Sequence, residues 1–181
     1  MRSILIMAMF TVSLANAAGN EYEEERQLNL GANDINTLEI EAGAGSLEIV
    51  GVSGSDEIVV SATIYVPEKD EDKARKEIQS HLVLSLEKDG NNAVLKGYFD
   101  EYSVSFGDSP HVQLEVLVPE RFGLNIDDGS GSIVVENVSG NIELEDGSGS
   151  ILMTNVGGDV EIDDGSGSIS VEGVRDRKSV V

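Results

Sequence analysis

The sequence predicts a mainly β fold: a short parallel β-solenoid of about 18 residues per turn, carrying an inserted strand–helix–hairpin block. Three observations predict it. The string DGSGSI occurs at 128–133, 146–151 and 164–169, each copy starting 18 residues after the last. Written in nines from Gly129, the C-terminal third reads GSGSIVVEN, VSGNIELED, GSGSILMTN, VGGDVEIDD and GSGSISVEG, with Gly third, Ile or Val fifth and an aliphatic residue or Met seventh. An upstream copy, LEIEAGAGSLEIVGVSG at 38–54, aligns without a gap with LNIDDGSGSIVVENVSG at 124–140, an offset of 86. Apolar residues two apart, with polar ones between, are the strand period. A short strand, a corner and a second strand then close one turn, with like positions stacked at roughly 4.8 Å.

From the N-terminus, residues 1–17 have the form of an export signal. Arg2 supplies a positive charge, the 11 residues at 4–14 are apolar-leaning, and Ala15-Asn16-Ala17 is a small-x-small cleavage site. That stretch is too short to span a bilayer, and no later stretch is long enough. The expectation is an exported bacterial protein, periplasmic or at the cell surface, without a transmembrane segment once the signal is removed. Residues 18–37 are a lead-in, and 38–174 form the β-strand-repeat domain: a first turn at 38–54, an insertion at 55–123 and repeats at 124–174. A basic tail, 175–181, follows.

The insertion has a pattern of its own. Residues 57–66 alternate, with Ile58, Val60, Ala62, Ile64 and Val66 on one face. Residues 67–82 read as a helix opening on Pro67, with acids in the first turn, Glu71–Arg75 and Asp72–Lys76 at i,i+4, and a thin stripe of Ala74, Ile78 and Leu82. Residues 82–88 and 93–99 flank Asp89-Gly90-Asn91-Asn92, a hairpin signature. Val112, Leu114, Val116 and Val118 make a last strand before Pro119. In the repeats, Ile126, Ile133, Val135, Val138, Ile142, Leu144, Ile151, Met153, Val156, Val160, Ile162, Ile169, Val171 and Val174 should point inward as aliphatic columns.

Glycine-flanked serines can belong to phosphate loops or nucleophilic turns, but here the context fits neither. No strand-then-helix follows the string, and its spacing matches neither phosphate-loop pattern. The two histidines, His81 and His111, lie outside the repeats, so the serines have no base. Gly129, Gly131, Gly147, Gly149, Gly165 and Gly167 read as corner residues, chosen for φ > 0 or for close backbone approach. No catalytic residue is nominated, and the chain is expected not to be an enzyme.

Charge narrows the partners. Loss of residues 1–17 leaves 34 acidic residues against 11 basic ones, a net charge of −23. Nucleic acid and anionic membrane both need a basic footprint and are therefore disfavoured. With no cysteine there are no disulfides, thiolate metal sites or lipid-modified cysteine. No Trp and 4% aromatic residues leave little to stack sugars or bases on.

At VLVPERFGLNIDDGSGSIVVENVSG, residues 116–140, a V-x-V-P strand end leads through L-x-I into repeated G-S-G-x-I-x-V with V-x-G. This resembles the bacterial β-strand-repeat family labelled "putative adhesin", a domain of unknown function in exported and envelope-associated proteins. The block at 55–118 looks like that family's insertion, so the similarity covers residues 38–174. The resemblance implies a β-solenoid, export and adhesion, and it carries no active site to transfer.

One constellation remains. Asp127-Asp128, Glu145-Asp146 and Asp163-Asp164 recur at one corner on successive turns, with Glu143 and Glu161 two residues earlier. Like charges facing one another across strands are destabilising. Weakly bound Ca²⁺ or Mg²⁺ would relieve them with oxygen ligands; a solvated acidic edge of turn-forming Asp residues is the other reading. The calcium nonapeptide G-G-x-G-x-D-x-U-x does not fit, because Val160 and Ile162 stand at its fourth and sixth places. Three functions follow in order: a non-catalytic structural or interaction protein meeting an envelope or extracellular protein or glycan, a cation-stabilised structural protein, and a polysaccharide-active β-helix enzyme. Open ends would also allow self-association.

Overall fold

The computed structural model describes residues 21–100 and 109–173. The export signal, the basic tail and Val174 lie outside them. Mainly β in character, the described residues form eleven strands, joined by hydrogen bonds into one sheet that does not close, and one short helix. In order these are β1 Tyr22–Gly31, β2 Thr37–Val52, β3 Glu57–Val66, α1 Glu71–His81, β4 Leu82–Asp89, β5 Asn92–Phe99, β6 His111–Pro119, β7 Gly123–Glu136, β8 Ile142–Asp146, β9 Gly149–Thr154, β10 Val160–Asp164 and β11 Gly167–Glu172.

β2 and β7 are long because each runs through a glycine corner and serves two arms. The first half of β2 pairs with β5 and β7, and the second half with β6 and β7. One arm therefore runs β4-β5-β2-β7-β8-β10 and the other β1-β3-β6-β2-β7-β9-β11. Alternate residues of both arms are buried in a single aliphatic cluster, which is what a period of two dictates when one face meets the core.

The repeats stack in parallel tiers at the expected offsets. Leu124 pairs with Ile142 and Ile142 with Val160, 18 residues apart, and Ile133, Ile151 and Ile169 do the same in the second arm. Leu38 pairs with Leu124 and Leu47 with Ile133, at the offset of 86. Ile126, Ile133, Val135, Val138, Ile142, Leu144, Ile151, Met153, Val156, Val160 and Ile162 are buried as predicted. Val171 is half-buried and Ile169 is 38% exposed, because among the described residues no tier covers β11.

The strands of residues 55–123 join the same sheet as the repeats. β5 and β6 together form a further tier, laid on the opposite side of β2 from β7: Thr37 pairs with Asn92 and Leu47 with Leu114. The tier that sequence marks as first is therefore an inner one. Antiparallel strands finish this end, β4 on β5 and β3 on β6, with β1 on β3. The lead-in supplies β1, whose Leu28 and Leu30 enter the core. The helix starts at Glu71, four residues after Pro67, and its N-cap is Asp70, whose carboxylate accepts the Lys73 N–H at 3.2 Å. Glu71–Arg75 forms at 2.8 Å, Ala74 and Ile78 are buried, and Leu82 caps the helix end. The hairpin turn is Gly90-Asn91, with Gly90 at φ 60°.

Candidate functional site

The DGSGSI glycines are corners for a steric reason. Gly131 has φ 145°, and a Cβ there would sit 1.6 Å from the Gly45 carbonyl oxygen. The same clash recurs at Gly149 on Gly131 and at Gly167 on Gly149, at 1.7 and 1.8 Å. Tiers approach so closely here that no side chain fits between them. The corners are stitched along the stack: the Gly131 N–H donates to the Ser148 carbonyl and the Gly149 N–H to the Ser166 carbonyl, both at 3.0 Å. The serines thus act through their main chain.

The six acidic residues do not gather. Strand alternation splits them into two columns on opposite faces. Asp127, Glu145 and Asp163 lie in register and exposed. Asp128, Asp146 and Asp164 form the other column, which turns inward: Asp128 is 4% exposed, Asp146 5%, and Asp164 half-buried. The inner column is therefore no solvated edge. Among the described residues, no group of three or more His, Asp or Glu stands close enough together to hold a metal ion. Asp146 and Asp164 each accept the N–H of the serine two residues on, at 3.2 and 3.1 Å, an Asx turn that shapes the corner. Burial first, then the charge of Asp146, pushes the Asp128 carboxyl up to about 7. Burial likewise raises that of Asp146.

Glu143 and Glu161 do stack, and they face a groove that the sequence does not announce. It has a volume of about 710 Å³ and crosses five tiers where each strand of the first arm begins. One wall is the column Asn92, Thr37, Gly123, Asn141, Asp159, and the other is Glu39, Asn125, Glu143, Glu161. Between the walls runs the main chain of Leu124, Ile142 and Val160, whose side chains are buried in the core. Four steps between tiers make it roughly 19 Å long. Two contacts fix its walls: Asn92 Nδ2 donates to Glu39 Oε1 at 2.6 Å, and the Asp159 N–H to Asn141 Oδ1 at 3.1 Å. Among the described residues no Lys or Arg pairs with Glu143, Asp159 or Glu161. The groove therefore offers a row of uncompensated carboxylates and side-chain amides. His81, 3.7 Å from Asp100, and His111, stacked on Tyr65 at 4.8 Å, lie elsewhere.

No family model matches the chain, and none of the curated proteins compared with it does. Among solved structures, the chain is similar to "a putative cell adhesion protein from Clostridium sporogenes ATCC 15579", at 11% identity and a TM-score of 0.47 over 83% of this chain and 99% of that one. No helix among the described residues is long and apolar enough to cross a membrane.

Proposed function

We propose that the stacked tiers form a short exported β-solenoid of the adhesin-like kind, a non-catalytic protein that binds an envelope or extracellular partner along its groove. The observation that carries this reading is the groove itself, running across five tiers with acidic and amide columns in strand register. Its shape suits an extended segment rather than a compact ligand, and its carboxylates suit basic groups spaced one or two tiers apart. Partner binding of this type is steered by charge and falls as salt rises. The motifs at 116–140 and the form of residues 1–17 support the family and the export.

The test uses an oligolysine peptide as the probe. Binding to the purified protein should weaken about tenfold or more when Glu143 and Glu161 are both changed to Gln, a loss of roughly 1.4 kcal/mol. The same double change at Glu23 and Glu25 on β1 should leave binding near that of the parent. Equal losses from the two pairs would reduce the groove to general acidity and overturn the reading.

A further inference from the structure

The inner acidic column leaves two atoms unexplained. Oδ2 of Asp128 and Oδ2 of Asp146 are closed to solvent and have no hydrogen-bond partner, although buried polar atoms are almost always paired. They belong to side chains stacked one tier apart, in register across β7 and β8. Among the described residues no cationic side chain pairs with them. On the side of β2 the column continues as Ala42, and on the side of β10 as Asp164, a third carboxyl. Along the strands themselves the charged neighbours are Asp127, Glu145 and Asp163, all acidic and outward-facing. None of the ion pairs among the described residues reaches the column.

Two ionised carboxylates in this position would each leave Oδ2 without a donor and would repel one another in a poorly solvated space. A single proton removes both defects: one carboxyl becomes a donor and the other remains the acceptor. A divalent ion would first have to shed its water, and it would find too few oxygen ligands here.

We infer that Asp128 and Asp146 form a buried proton site, a carboxylic acid–carboxylate pair sharing one proton between adjacent tiers. The raised position of the Asp128 carboxyl, caused first by burial and then by the Asp146 charge, agrees with this. The proton belongs to the pair rather than to either residue.

A carboxyl whose pKa is raised from 3.8 to about 7 on folding binds its proton more tightly in the folded chain. Its stabilisation is full below the unfolded pKa and is lost as pH rises through the folded one, so the stack loosens between about pH 4 and pH 7. Acidification of the surroundings would tighten the same corner.

Thermal midpoints against pH test this in three proteins at matched ionic strength. The parent midpoint should fall by several degrees across that window. Asp128→Asn supplies a permanent amide donor to Asp146 and should flatten the profile, leaving the variant the more stable of the two at neutral pH. Asp127→Asn removes the same charge one residue away on the outer face, and should keep the parent slope. Should Asp128→Asn fail to fold, Asp146→Asn offers the same donor from the other side. An Asn variant whose profile runs parallel to the parent would overturn the shared proton. So would a parent profile that flattens only on addition of Ca²⁺, which would put a metal ion in its place.

Discussion

The tier made by β5 and β6 and the tier made by β8 and β9 do the same structural work with unlike sequences. Both lie parallel to a neighbour, turn inward alternate aliphatic residues and leave the alternate row outside. In the second tier like residues sit over like, Ile151 on Ile133 and Gly149 on Gly131. In the first, Leu114 meets Leu47 but Gly97 meets Ala42 and Asn92 meets Thr37. Parallel stacking asks only for backbone register and an apolar inner row. Repetition becomes obligatory only where the main chain allows no side chain at all, at the glycine corner.

The corner is where that contrast should break most sharply. Gly131→Ala drives a Cβ into a main-chain oxygen that cannot move away, and should cost about 4 kcal/mol or more in a urea melt. Gly97→Ala, in the dissimilar tier, meets the Leu114 Cδ1 at 2.8 Å, and a side chain can yield. About 1–2 kcal/mol is expected there, and equal losses would refute the distinction.

The next largest effect compares depth in the stack. Leu144, 1% exposed with a tier on each side, should lose about 2–5 kcal/mol on truncation to Ala. Ile169, on the last described tier, should lose under about 1 kcal/mol in the same melts.

Smallest is the outer Asn column. Asn137 and Asn155 have φ 59° and 57°, and their amides bond at 2.6 Å. Gly173 takes the same place on the next tier at φ 68°. Asn155→Ala loses the bond and strains the backbone, about 1 kcal/mol, whereas Asn155→Gly should cost less because it keeps the backbone free.

The repeats were legible because an identical residue one turn on is a register mark: the offsets of 18 and 86 are the observed pairings. The β5–β6 tier was not legible, since its offset from β2 changes from 55 at Thr37–Asn92 to 67 at Leu47–Leu114. Twelve additional residues at its corner hide the turn from any fixed period. Asp128 shows a different limit. Two residues after buried Ile126, it falls on the inward row by alternation alone, yet carboxylates are rarely buried and the chemical expectation put it in water. For the groove, the Glu143–Glu161 column could be read off the repeats. Its concavity could not, because it depends on five tiers drawn from segments far apart in the chain.

The place of β2 has a consequence for how the chain assembles. Residues 37–52 are synthesised before either strand they bond to: one flank waits for residues 92–119 and the other for 123–136. No native parallel partner exists for β2 while only the first ninety residues are present, and its two unpaired edges stay open for that interval. Such separated pairings close slowly, so the parallel tiers on β2 cannot form from the N-terminal residues alone, although β1 and β3 can already pair. The fold has to be completed from the middle of the chain, after most of it has been made.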